Sequence, residues 1–106
     1  MDESIVRRRA EAHAEAVVAG DLRRAASDLA ETAREGASGV MAKLPRPLVG
    51  ADVVSVDQTG EEAVARIRYF GDGAETIVAS RWADRGGRPM IVVLALEGEE
   101  DRTTGL

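Results

Sequence analysis

A chain of 106 residues is long enough for one domain that buries roughly 60–70% of its unfolded surface. The apolar share of 44% is that of a globular protein rather than a disordered one. A net charge of −5 argues against sequence-independent nucleic-acid binding, which needs a surplus of Lys and Arg to displace counterions from phosphates. The absence of cysteine excludes disulfides, thiolate metal sites and thiol nucleophiles.

We expect neither a secretory signal nor a membrane span in this sequence. The first residues lack the apolar core of a secretory signal, and no apolar run approaches the ~20 residues of a membrane span. We therefore expect a cytoplasmic protein that binds neither nucleic acid nor membrane. Residues 98–106 are polar and acidic, which predicts a flexible tail after a single domain of residues 1–97.

The first predicted element is a helix from Glu3 to about Ala19, a stretch rich in alanine and free of Gly and Pro. Val6, Ala10, His13 and Val17 follow one another at spacings of four, three and four, which places them on one stripe of that helix. His13 is the only histidine of the chain. The pattern predicts that it lies on the buried face.

The helical pattern is interrupted at Gly20 and Asp21. Glycine reaches the left-handed conformation of a helix C-cap without steric cost, and an aspartate suits the N-cap of the next helix. We expect a tight turn here, then a second helix from Leu22 to about residue 34. Its inward-facing residues would be Leu22, Ala26, Leu29 or Ala30, and Ala33.

A short third helix is predicted by the spacing of Val40, Met41 and Leu44. Pro45 and Pro47 then force an extended passage.

From residue 51 the apolar period changes to two. Four β-type runs follow, separated by short connections with the Gly or Asp of hairpin turns, and they span residues 51–57, 61–70, 75–83 and 90–97. Short connections predict neighbouring antiparallel strands. The expected fold is α+β, with N-terminal helices packed on a curved four-stranded antiparallel sheet.

Two stretches carry a family resemblance: "AVVAGDLRRAASDLA" (16–30) and "SRWADRGGRPMIVVLAL" (80–96). In this order of elements, over about residues 3–97, the chain resembles a small bacterial member of the nuclear-transport-factor-2-like (SnoaL-like, cystatin-like) superfamily. The resemblance implies a cone-shaped roll around the first helix, often a homodimer, with a pocket at its open end. Members include ketosteroid isomerases, polyketide cyclases, dehydratases, epoxide hydrolases and non-catalytic binding domains.

The functional residues of the isomerase branch carry over only in part. The resemblance places His13 where that branch has an oxyanion-hole tyrosine on the first helix, and Ala79 where it has a protonated carboxylic acid. Residues 33–47 offer no clear equivalent of its general-base aspartate.

Two functional hypotheses follow. The first is a homodimer, associated through the sheet face, that acts without catalysis as an interaction module or as a binding protein for a small apolar ligand. The ligand pocket would contain His13, Val17, Tyr69 and Trp82, and no cofactor or metal is expected. The alternative is an isomerase, cyclase or dehydratase type of enzyme with His13 as its catalytic acid/base, assisted by Tyr69 or Asp52.

Two further interpretations compete with these. His13 could be a core histidine that hydrogen-bonds a neighbouring group, and the sheet face that carries Trp82 could be the interface of a purely structural dimer.

The arginines of the predicted strands are also open to two interpretations. Arg66, Arg68 and Arg81 could bind an anion, or they could pair across strands with Glu62 or Glu75.

Overall fold

The structure, a computed structural model, describes residues 2–97, and the predicted tail of residues 98–106 lies outside them. Three helices precede four strands in this part of the chain. None of the helices in residues 2–97 combines the length and the apolar character needed to cross a membrane. The elements are α1 (Glu3–Ala19), α2 (Leu22–Ala26), α3 (Glu31–Met41), β1 (Leu48–Thr59), β2 (Glu62–Gly71), β3 (Ala74–Arg85) and β4 (Arg88–Leu96).

The strands form an antiparallel meander in the order β1–β2–β3–β4, which confirms the predicted α+β class. The β1–β2 and β2–β3 turns contain Gly60 and Gly73, whose φ angles of 64° and 76° lie in the left-handed region that glycine adopts freely. The helices pack on one face of this sheet, α1 against β1 and β2, and α3 against β4.

The predicted first helix and its caps are confirmed. Gly20 has φ 76°, and its N–H donates to the last carbonyls of α1. The Asp21 carboxylate accepts a hydrogen bond from the Arg24 N–H at 3.2 Å, as an N-cap does. The break in the helical pattern is therefore a paired C-cap and N-cap.

The predicted second and third helices are wrong in their boundaries. Helix α2 ends at Ala26, and α3 takes in both the end of the predicted second helix and the start of the predicted third. Between them the chain pairs with β4, since the Ile91 N–H donates to the Asp28 carbonyl and the Ala30 N–H to the Ile91 carbonyl, each at 2.8 Å. These bonds replace those that a continuous helix would make. Leu22, expected to face inward, is 58% exposed.

The helix-facing side of the sheet is the core. Trp82 is fully buried there, and its Nε1–H donates to the Ser80 hydroxyl, which donates in turn to the Ala65 carbonyl. Trp82 itself is covered by the protein's own helices, while association of two copies through a sheet face stays a prediction.

The opposite face of the sheet carries cross-strand ion pairs. Arg68 contacts Asp52 at 2.6 Å and Glu75 at 3.7 Å, and its guanidinium lies 5.3 Å from the centre of the Phe70 ring. Arg81 lies 3.8 Å from Glu62. The predicted pairing of the strand arginines with Glu62 and Glu75 is thus confirmed for two of them.

Candidate functional site

A cavity of about 670 Å³ lies between the helices and one end of the sheet. Its walls come from the last turns of α1, from α2 and α3, from residues 44–47, and from Leu48 and Leu94 at the sheet. A volume of this size falls in the range of roughly 300–1,000 Å³ that small-molecule sites occupy.

The cavity has a buried floor and an exposed rim. His13, Val17 and Leu29 line it and are between 5% and 7% exposed. Leu22 and Arg46 line it as well and are exposed. A molecule could therefore enter from solvent past Leu22 and Arg46 and reach His13.

Most of the lining side chains are apolar. Among the described residues that line the cavity, His13, Ser38 and Arg46 carry the polar side chains, and none of the lining residues is a carboxylate. The site thus offers a large apolar surface and a few fixed polar groups, the combination that favours small organic ligands.

His13 is held by Asp28, a residue of the segment between α2 and α3. The Nδ1 atom of His13 lies 3.1 Å from Oδ2 of Asp28, and both side chains are largely buried, at 6% and 12% exposure. The other carboxylate oxygen of Asp28 lies 3.7 Å from a guanidinium nitrogen of Arg88. A carboxylate at Nδ1 fixes the orientation of the ring and keeps the proton of the neutral imidazole on Nδ1.

The second ring nitrogen, Nε2, faces no protein partner. Asp28 is the one hydrogen-bond partner of the His13 side chain within residues 2–97. In the same part of the chain, the one side-chain nitrogen or oxygen that is both fully buried and without a partner is Nε of Arg68. Since Nε2 of His13 also lacks a partner, it must be in part accessible to solvent. His13 lines the cavity, and Nε2 is the ring nitrogen that has no partner among the described residues.

The Trp82 ring packs against the imidazole ring of His13. The two rings meet edge to face, with centroids 6.4 Å apart and planes at 88°. This contact restricts the imidazole on the side of the sheet.

Of the four predicted pocket residues, His13 and Val17 line the cavity. Tyr69 and Trp82 are buried in the core on the sheet and are not among its lining residues. Burial raises the pKa of the Tyr69 hydroxyl above its ordinary value of 10.0, so this group keeps its proton at neutral pH. Asp52 pairs with Arg68 on the face away from the helices, and it therefore has no access to His13.

Sequence reasoning missed Asp28, Leu44 and Arg46 as neighbours of the cavity. Asp28 falls inside the predicted second helix, where nothing in the local pattern distinguishes it from a solvent-facing residue. Only the folded chain brings it to His13, fifteen residues earlier.

Within residues 2–97 no group of three or more His, Asp and Glu side chains could hold a metal ion. Comparisons of the chain with protein-family models, with curated proteins and with solved structures find no match.

Proposed function

We propose that the protein binds a small, mainly apolar molecule in the cavity between its helices and sheet, with His13 as the polar contact at the floor. The observation that carries this proposal is the position of His13: its Nδ1 is occupied by Asp28 while its Nε2 remains available in an otherwise apolar wall. The resemblance to a superfamily of cone-shaped proteins with an interior pocket agrees with it.

The apolar wall supplies the affinity. Each square ångström of apolar surface removed from water contributes about 25 cal/mol, and much of that gain offsets the loss of ligand freedom on binding. A ligand with about ten carbons and a hydroxyl group should then bind with a Kd on the order of 10 µM.

His13 supplies orientation. With its proton on Nδ1, the neutral imidazole accepts a hydrogen bond at Nε2 from a hydroxyl or amide N–H of the ligand. Such a bond between neutral groups contributes about 0.5–1.5 kcal/mol. A ligand with a donor at its inner end is thus preferred over a plain hydrocarbon.

Calorimetric titration with decanol tests the proposal. Ala26 lines the cavity and is exposed, so Ala26→Phe fills the cavity from its rim without disturbing buried side chains. We expect saturable binding to the unchanged protein and binding at least about tenfold weaker in this variant, since the new ring occupies the ligand's volume. Glu61→Phe is the matched control, because it places the same ring in the turn between β1 and β2. That turn lies at the opposite end of β1 from Leu48, which lines the cavity.

A second titration isolates His13. The side-chain nitrogen of an asparagine can take the place of Nδ1 beside Asp28 but leaves nothing at Nε2. His13→Asn should therefore weaken decanol binding by about two- to tenfold while the protein stays folded. If decanol does not saturate the unchanged protein, or binds Ala26→Phe equally well, the proposal is wrong.

An acid–base enzyme is the second candidate, and the His13–Asp28 pair favours it. Nε2 of a ring oriented by a carboxylate can remove a proton from a bound molecule, and Asp28 stabilises the imidazolium that results. The proton abstraction most accessible to such a lone base is from a carbon beside a carbonyl group. Tyr69 and Asp52 take no part, because neither lines the cavity.

Deuterium exchange into methyl octyl ketone in heavy water tests this candidate. An enzyme of this type accelerates exchange at the carbons beside the carbonyl, and His13→Asn abolishes the acceleration. Exchange no faster than in buffer, with decanol binding retained, would leave a binding protein without this activity.

A further inference from the structure

We infer that the ligand of the cavity carries a carboxylate at its outer end, which Arg46 binds at the rim. This inference rests on the proposed function and adds the charge of the ligand and its orientation. The inference is based on the charge of the side chains that line the cavity, which include an arginine and no carboxylate.

Arg46 is the charged group of the cavity wall. It is exposed, it lines the cavity, and within residues 2–97 it makes no ion pair or hydrogen bond through its side chain. The strand arginines differ, because Arg66, Arg68 and Arg81 each lie within 4 Å of a carboxylate. Other arginines, such as Arg7 and Arg34, also lack an ion pair within residues 2–97, but Arg46 is the one arginine among the residues that line the cavity.

The two carboxylates that directly adjoin lining residues in the sequence, Asp21 and Asp28, have partners elsewhere. Asp21, which precedes the lining residue Leu22, accepts the Arg24 N–H as a helix cap. Asp28 is shared between His13 and Arg88. The wall of the cavity therefore presents a cation and no fixed anion to a ligand.

Residues 45–47 give Arg46 a defined position. Gly71 of β2 packs directly against Pro47 and Pro45 of this segment, so closely that a side chain would collide with the Pro47 carbonyl. The two prolines also restrict the backbone on either side of Arg46. The guanidinium is thus attached to a fixed part of the rim, and it can meet a carboxylate with two parallel N–H donors.

The two ends of the cavity then select one orientation. The apolar body of the ligand lies along the buried wall, a hydrogen-bond donor reaches His13, and the carboxylate stays in water beside Arg46. The opposite orientation would bring the carboxylate beside the Asp28–His13 pair, where Asp28 repels it and burial removes its hydration.

Three ligands that share one apolar chain test the inference: decanoate and decylammonium below their micelle concentrations, and decanol below its solubility limit. Calorimetric titration should rank decanoate about fivefold tighter than decanol, and decylammonium weakest, because an exposed ion pair contributes modestly. Added salt should shrink these differences without changing the affinity for decanol.

Arg46→Gln should make the affinities for decanoate and decanol equal. Arg85→Gln is the matched control: it removes the same charge from the last residue of β3, where the Arg85 side chain contacts only the Asp84 carbonyl. Equal affinities in the unchanged protein would overturn the inference and leave the proposed function intact. A preference for decanoate that survives Arg46→Gln but disappears in His13→Asn would also overturn it. Failure of all three ligands to bind would refute the proposed function itself.

Discussion

Asp28 joins helix α1 to strand β4 through its side chain and its backbone at once. Its Oδ2 atom lies 3.1 Å from Nδ1 of His13 on α1, and its backbone carbonyl accepts the Ile91 N–H of β4 at 2.8 Å. The side chain that orients the imidazole is therefore itself fixed to the sheet. This double attachment holds the imidazole ring through Nδ1 and leaves Nε2 without a partner in the described part of the chain.

Removal of the Asp28 carboxylate should destabilise the fold. Asp28→Ala leaves the buried Nδ1–H of His13 without an acceptor, and an unpaired buried donor costs about 1–3 kcal/mol. Asp28→Asn keeps an oxygen acceptor and should cost less than half as much. Urea unfolding followed by circular dichroism measures both. Equal stability of Asp28→Ala and the unchanged protein would show that the pair contributes nothing to folding.

The hydrogen-bonded chain from Trp82 through Ser80 to Ala65 should be cooperative. Ser80→Ala removes the acceptor of the fully buried indole N–H and should cost about 1–3 kcal/mol. In a Trp82→Phe background the same substitution should cost measurably less, because no indole N–H remains to be satisfied. A double-mutant cycle from urea midpoints gives the coupling, and a coupling of zero contradicts this interpretation.

Two glycine substitutions should change stability in opposite directions. Gly71→Ala forces a Cβ against the Pro47 carbonyl, so it should destabilise the protein by about 1–3 kcal/mol and weaken ligand binding by moving residues 45–47. Gly36→Ala meets no atom within 4 Å in the middle of α3, so it should stabilise the protein by about 0.5–1 kcal/mol. Thermal melting compares them. A Gly71→Ala protein that melts and binds like the unchanged one would show that the rim segment does not depend on this contact.

Alkaline pH should destabilise the protein through Tyr69, the only tyrosine of the chain. Burial raises the pKa of its hydroxyl in the folded state above the ordinary value of 10.0. Above about pH 10 the unfolded chain loses this proton while the folded one retains it, so the free energy of unfolding falls by up to about 1.4 kcal/mol per pH unit. Tyr69→Phe should lose this component of the pH dependence. Urea midpoints between pH 8 and pH 11 provide the comparison, and parallel curves for the two proteins would contradict it.

Local signals in the sequence were sufficient for α1 and the four strands. The stripe from Val6 to Val17, the caps at Gly20 and Asp21, and the change of period at residue 51 each depend on neighbouring residues alone. The α2–α3 boundary depends instead on the pairing of Ala30 with Ile91 of β4, a contact between distant parts of the chain. Long-range packing of the same kind brings Asp28 to His13 and Arg46 to the cavity wall, and this is why only His13 and Val17 of the lining were predicted.

Quenching of Trp82 fluorescence is the most direct measurement of ligand binding in the cavity. Trp82 is the only tryptophan, and its ring contacts His13 edge to face, so a bromine atom beside the hydroxyl of a bound alcohol comes close to it. Binding at His13 predicts saturable quenching by a decanol brominated on the carbon next to the hydroxyl-bearing carbon. This quenching should be lost in Ala26→Phe and retained in Glu61→Phe. Quenching that rises linearly without saturation, or that is equal in Ala26→Phe, would contradict a ligand site at His13.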